Sequence, residues 1–392
     1  MGSKKNNWNY PTTVWIGAGR SEEVSFACKN LGITAPLVVT DAVLAATPLV
    51  EHIVDYCKFG GLACRVFSMI KPNPTGTNVE DGIRSYHDGQ HNGVIAIGGG
   101  SALDAGKAIA FMVGQDSTLW DFEDIGDNWM RANNKKIASI VALPTTAGTG
   151  SEVGRASVIL DEKAEKKKII FHPNMMPSIV ILDPELTIGL PPHLTAATGM
   201  DALSHNLEAW CSPMYHPMAE GIAVEGIRLI REYLPAVVAD GSDVEARTQM
   251  LVASTMGATA FQRGLGGMHA LSHPLGALYD AHHGTLNAIL MPYVLEANRQ
   301  VVSPMISRLA QYIDLDVSTF DGFLDWILRL RSDIGIPEDL TQLKIDDSRA
   351  EKIGRMAVED PSAATNPIIF SARDYENIFC NAVNGDIGRG AL

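Results

Sequence analysis

The sequence contains no long apolar run. Nothing in its 392 residues approaches the roughly 20 consecutive apolar side chains needed to span a bilayer. Cysteine is scarce, with five residues at Cys28, Cys57, Cys64, Cys211 and Cys380. They are odd in number, scattered and without a C-x-x-C spacing. That excludes a disulfide framework or a cysteine zinc site and suits reduced thiols in the cytoplasm. Positive charge is also in deficit, 31 Lys and Arg against 45 Asp and Glu, for a net charge of −14. A field of that sign repels phosphate backbones and anionic lipid, so neither nucleic acid nor a membrane is an expected partner. Residues Met1–Asn7 lack the apolar segment of a secretory signal. There is no H-E-x-x-H and no EF-hand loop, so the common metalloprotease and calcium readings lack their motifs.

What is present is the composition of a folded globular protein, 46% hydrophobic and 19% charged. The length suggests two or three domains at roughly 150 residues each. In the first half, short β-branched runs end in Gly, Asp or Pro: Thr13–Gly17, Pro36–Thr40, Val94–Ile97, Ile137–Leu143 and Ile179–Asp183. Helical patterns such as Leu44–Cys57, Val79–His87 and Ala102–Val113 lie between several of them. That alternation predicts an α/β domain with a mostly parallel sheet. Ala156–Leu160 and Ile169–Phe171, joined by a charged stretch, read as a hairpin appended to the sheet. Beyond Asp183 strand signals nearly vanish. Helical periodicity runs through His193–Cys211, Met218–Leu234, Asp243–Gln262, Pro304–Ile313 and Phe320–Ile334. We therefore expect an α/β domain over 1–185 and an all-α domain over 186–392.

The helical half carries the strongest chemical signal. Asp201 and His205 are four residues apart, about one helical turn, so both project from one face. His269 and His273 repeat the spacing, and His282-His283-Gly284 follows. An Asp–His pair on a helix can be a simple hydrogen bond. Two such pairs plus a third histidine site suit a divalent metal, and imidazole with carboxylate favours iron, zinc or nickel.

A second signal lies at Gly98-Gly99-Gly100-Ser101, between an apolar strand and a helical pattern. Glycines let backbone N–H groups approach a phosphate, and a helix N-terminus favours the anion. Ser101 is placed as N-cap with Asp104 three residues on, like a capping box. A tight, well-capped turn without ligand is the alternative. The stretch is not a P-loop, because Ala108 stands where Ser or Thr is required after Lys107. Gly17-Ala18-Gly19 is a weak start to a G-x-G-x-x-G, since its third position is Glu22. Asp41 follows a strand, where a dinucleotide fold places the acid that receives the ribose hydroxyls, or where an ordinary helix cap would stand. Pro144–Glu152 forms a third loop, rich in Thr, Gly and Ser, after another strand.

Together the motifs resemble those of the iron-containing (group III) alcohol dehydrogenases: Lys71-Pro-Asn73-Pro74, Gly98-Gly-Gly-Ser101-x-x-Asp104-x-x-Lys107, Pro144-Thr-Thr-Ala-Gly-Thr149, Gly199-Met-Asp201-Ala-Leu-x-His205, and His269-x-x-x-His273-Pro-Leu-Gly276 with His283-Gly284. The resemblance covers roughly residues 10–300. It implies an N-terminal dinucleotide-binding domain, a helical C-terminal domain and an active site in the cleft between them, the dehydroquinate synthase-like fold. It implies metal ligands Asp201, His205, His269 and His283, with His273 beside substrate and nicotinamide as the candidate proton relay. Adjacent His282 competes with His283 for the fourth place. NAD would lie on Gly98, Gly99, Gly100 and Ser101, with Asp41 at the adenosine ribose. Asn73, Asp104, Lys107, Thr145, Thr146 and Thr149 would line the rest, and Lys167 would meet the nicotinamide ribose. The implied protein is a cytoplasmic homodimer or higher homo-oligomer. It would use Fe2+, or Zn2+, and NAD to interconvert a small alcohol and aldehyde. A glycerol dehydrogenase-like or dehydroquinate synthase-like enzyme, or a metal-dependent hydrolase with a nucleotide-binding domain, are the alternatives.

Overall fold

The computed structural model describes residues 6–8, 12–164 and 166–388. Most of the opening segment Met1–Asn7, and Glu165 in the charged stretch, lie outside these. The chain divides into two compact units, Met1–Gly189 and Leu190–Leu392.

The first unit is built on a seven-stranded sheet in the order β1-β2-β9-β6-β5-β3-β4. The strands are β1 (Asn6–Trp8), β2 (Thr13–Ile16), β3 (Pro36–Asp41), β4 (Arg65–Ile70), β5 (Gly93–Gly98), β6 (Ile140–Pro144) and β9 (Ile179–Leu182). All neighbours run parallel except the β1–β2 pair. Parallel strands need helical crossovers, which bury the sheet on both faces. Every residue of β5, β6 and β9 is accordingly buried. The helices are α1 (Val24–Asn30), α2 (Ala42–Ala45), α3 (Pro48–Phe59), α4 (Gly76–Asp88) and α5 (Gly100–Met112).

The chain runs from β3 out to the edge strand β4, then returns to place β5 on the other side of β3. Such a reversal of strand order opens a crevice at the carboxyl ends, where doubly wound sheets bind ligands. Asp41, Gly98 and Pro144 end the three adjacent strands β3, β5 and β6.

Two expectations are corrected here. β7 (Ala156–Asp161) and β8 (Lys166–Phe171) do form a hairpin, but as a separate two-stranded sheet, not an extension of the main one. α5 begins at Gly100 with Gly99 as N-cap and no side-chain cap. Ser101 is inside the helix and its hydroxyl donates to the Pro72 carbonyl, so Ser101 and Asp104 form no capping box.

The second unit is helical: α6 (Pro192–Cys211), α7 (Pro217–Ala239), α8 (Val244–Ala260), α9 (Gly267–Tyr279), α10 (His283–Tyr312), α11 (Phe320–Asp333), α12 (Ala350–Glu359) and α13 (Ala372–Asn384). α10 continues through Pro292 and Pro304, and so starts far upstream of the short segment its proline-broken pattern suggests. Small residues set the close approaches. A Cβ on Gly284 would lie 2.3 Å from the Ala197 carbonyl oxygen and 3.1 Å from Asp201 Cβ. Glycine there lets the start of α10 rest on the middle of α6. No helix of the described residues is long and apolar enough to cross a membrane.

Candidate metal centre and nucleotide cradle

α6, α9 and α10 bring Asp201, His205, His269 and His283 together, with one potential ligand atom of each within 4.8 Å of all the others. Asp201, His205 and His269 are buried, and His283 is partly exposed. Asp201 Oδ1 lies 4.0 Å from His205 Nε2 and 3.6 Å from His283 Nε2. The His205 and His269 rings stack with centroids 4.8 Å apart. The α6 pair sits together because i and i+4 share a helix face. His269 arrives from the first turn of α9, and His283 from the first residue of α10.

Partners outside the cluster fix the rings. His269 Nδ1 meets Glu208 Oε2 at 2.6 Å, leaving Nε2 toward the cluster. Glu208 also accepts the backbone N–H groups of Gly266 at 2.8 Å and Met268 at 2.6 Å. Burial pushes the Glu208 carboxyl up to about 7, against those backbone hydrogen bonds. Burial also holds His269 well below its ordinary value, helped by His205 and His273 nearby. A neutral imidazole is the form that ligates a metal. Ser272 Oγ stands 3.4 Å from His283 Nδ1, and Asn287 Nδ2 donates to Asp201 Oδ1 at 2.8 Å. Three imidazoles and a carboxylate facing one another in a mostly buried site fit a divalent cation such as Fe2+ or Zn2+.

His273 is not in the four-residue set. It lies one turn beyond His269, parallel to the His283 ring at 5.5 Å, with Nδ1 2.8 Å from Asp360 Oδ2. Burial works against the Asp360 charge, but His273 and the Ser362 N–H outweigh it and hold the carboxyl below its ordinary range. His282 is the N-cap of α10, its Nδ1 accepting from the Thr285 N–H at 3.4 Å. That bond turns one ring nitrogen to the helix end, and His282 does not join the cluster. Phe261 sets its ring edge-on to His205 at 5.3 Å.

In the first unit, the glycine turn and the threonine loop meet. Gly98 has φ 144°, a conformation side-chain-bearing residues rarely adopt, and its carbonyl accepts the Thr145 N–H at 3.0 Å. A Cβ on Gly100 would lie 2.7 Å from Thr149 Cγ2, and one on Gly99 3.4 Å from Thr146. The first turn of α5 therefore presents its N–H groups without a capping side chain, beside three threonines. Asn73 is half-buried next to Pro72, the partner of Ser101. Asp41 caps α2, with Oδ1 accepting from Val43 and Leu44 at 2.9 Å each. Its Oδ2 is 3.8 Å from where a Gly98 Cβ would stand. One oxygen makes the cap while the other faces the glycine turn.

Asp104 and Lys107 are placed differently. Lys107 is 1% exposed, its ammonium donating to the Ala156 carbonyl and pairing with Asp104 at 3.1 Å. Asp104 accepts from Ser151 Oγ at 2.5 Å and the Val158 N–H at 2.8 Å. Both tie α5 to the hairpin. Lys167 lies half-buried on β8, paired in register with Leu160. The chain from Gly17 to Ser21 turns N–H groups inward: those of Gly19 and Ser21 donate to the Asp183 carboxylate at 3.1 and 2.8 Å.

Sequence reasoning passed over Glu208, Asn287 and Asp360. Asn287 had a legible signal, one helical turn after His283. Glu208 is 61 residues from its partner and Asp360 is 87, so no spacing rule reaches either.

Comparison with known proteins finds relatives along nearly the whole chain. Residues 11–184 match the "Iron-containing alcohol dehydrogenase" family and residues 195–383 its C-terminal domain. The chain is 36% identical over 383 residues to a 4-hydroxybutyrate dehydrogenase of Cupriavidus necator, covering 94% of this chain and 97% of that one. It is 32% identical over 384 residues to an NAD-dependent methanol dehydrogenase of Bacillus methanolicus, covering 96% of this chain and all of the other. Among solved structures, a 1,3-propanediol oxidoreductase superposes with a TM-score of 0.90 at 33% identity, covering 97% of this chain and 100% of that one. Matched in both halves and over nearly its full length, the protein belongs to the iron-containing alcohol dehydrogenase family and is an oxidoreductase of the alcohol dehydrogenase type.

Proposed function

We propose that the protein interconverts a small primary alcohol and its aldehyde with NAD, at a divalent metal held by Asp201, His205, His269 and His283. The observation that carries this reading is the convergence of those four side chains in a mostly buried site. When bound, the metal supplies Lewis acidity toward an alcohol oxygen, and the nicotinamide supplies the hydride acceptor.

The chain's own groups do the rest. Glu208 fixes the His269 ring so that Nε2 is presented and Nδ1 keeps the proton. His273, anchored through Nδ1 by Asp360, has Nε2 left to take the hydroxyl proton or return it. Gly98–Ser101 offer backbone donors to a pyrophosphate, with Thr145, Thr146, Thr149 and Asn73 around it. Asp41 Oδ2 receives ribose hydroxyls and repels a 2′-phosphate, favouring NAD over NADP. Asp104 and Lys107 hold the hairpin that carries Lys167 toward the nicotinamide ribose. Iron is the metal favoured by family membership. The relatives named for methanol, propanediol and 4-hydroxybutyrate support a small primary alcohol as substrate. The family resemblance supports a homo-oligomer, and the free, mostly buried thiols fit a reducing compartment such as the cytoplasm.

A panel of alcohols with NAD, and of aldehydes with NADH, followed by nicotinamide absorbance, tests the reading. Turnover that requires added or retained metal supports it. Metal-dependent hydrolysis without any NADH change would overturn it in favour of a hydrolase.

A further inference from the structure

The Asn287 side chain occupies a singular position. It is fully buried on α10, and its Nδ2 is 2.8 Å from Asp201 Oδ1, 3.3 Å from His269 Nε2 and 3.1 Å from His283 Nε2. Those are atoms of three of the four clustered residues. An amide nitrogen has two N–H donors and so cannot satisfy three acceptors at once. Its Oδ1 is buried without a hydrogen-bond partner. Leaving such a group buried and unsatisfied is destabilising, so a plain packing role would be better served by leucine.

We infer that Asn287 is a positioning residue of the metal centre. This rests on the metal reading above. Its N–H fixes Asp201 Oδ1, which aims the carboxylate at the cation site. In the metal-free protein the second N–H of the same amide is shared between the His269 and His283 lone pairs and keeps these buried basic atoms from drifting apart. When a cation takes those lone pairs, the bond to Asp201 remains and the bonds to the rings are released. The site is thus held in nearly its loaded shape before metal arrives, and affinity gains from that preorganisation.

The test is Zn2+ affinity by competition with a chromophoric chelator, on wild type, Asn287→Leu and Asn287→Ala, each checked for folding by circular dichroism. Leu keeps the volume without donors; Ala is the variant more tolerant of packing. We expect about 10–100-fold weaker binding in both, the usual consequence of removing a hydrogen bond to a ligand. Co2+ spectra should keep the wild-type band pattern, because no ligand is lost. Wild-type affinity in either folded variant overturns the inference while leaving the metal site intact. A Co2+ spectrum with altered coordination overturns it too, by making the amide a ligand. Wild type that binds no metal would instead sink the underlying reading.

Discussion

The Glu208 carboxylate receives the His269 Nδ1 proton across 2.6 Å, with both groups buried and the carboxylate also capped by two backbone N–H groups at the start of α9. One side chain of α6 therefore sets both where α9 begins and which nitrogen of His269 faces the cluster. Glu208→Gln removes the charge and turns an amide N–H toward a donor. Metal affinity should fall about 10–100-fold, measured by chelator competition. Unchanged affinity would leave Glu208 as a brace for the helix start.

Asp41 has one oxygen on the α2 cap and one toward the glycine turn. Asp41→Gly should narrow the ratio of kcat/KM with NAD to that with NADP. Stability should change by only a few tenths of a kcal/mol, because glycine is itself tolerated as an N-cap. A wild-type enzyme that already prefers NADP would contradict the assignment.

His273 stands beside the cluster and is held by Asp360. His273→Ala should keep wild-type metal content but lower turnover by roughly a hundredfold to ten-thousandfold, with an altered pH profile. Asp360→Asn should show a smaller loss of the same kind. Metal loss in His273→Ala would make it a ligand, and unchanged kinetics would make it structural.

His172 tests the electrostatics of the first unit. Its Nδ1 accepts the Asn174 N–H at 3.0 Å and its Nε2 meets Asn134 Oδ1 at 2.8 Å, an arrangement only the neutral ring satisfies. Burial holds its pKa below the ordinary 6.5. As pH falls through 6.5, the unfolded chain takes up a proton that the folded chain refuses, so stability is lost on the acid side. His172→Gln should be less stable at pH 8 but lose less between pH 8 and about 5.5, read by urea unfolding. Equal pH slopes in the two proteins would refute the assignment.

Half of the cluster was legible because helical spacing is written in local sequence, Asp201 and His205 sharing a face; His269 and His283 join them only in the fold and were reached through the family's motifs. The parallel sheet was legible through its short β-branched runs, each of which contains a strand, although β6 starts only at Ile140, three residues into its run. β4 escaped because an edge strand need not be apolar, and Arg65, Val66 and Met69 are exposed on it. The burial of Lys107 escaped for a related reason. Composition marks a lysine as solvent-seeking, and only the fold brings the Ala156 carbonyl and Asp104 to its buried ammonium. Glu208 and Asp360 belong to the same class of long-range pairing. Ser101 was misplaced as a cap because a glycine can start a helix as well as a serine can.

The central claim is most directly tested by counting metal atoms per chain in wild type, His282→Ala and His283→Ala, purified side by side. The account predicts about one divalent ion per chain in wild type and in His282→Ala, whose ring caps α10, and close to none in His283→Ala, with NAD-linked alcohol oxidation lost alongside it. Metal retained in His283→Ala but lost from His282→Ala would contradict it.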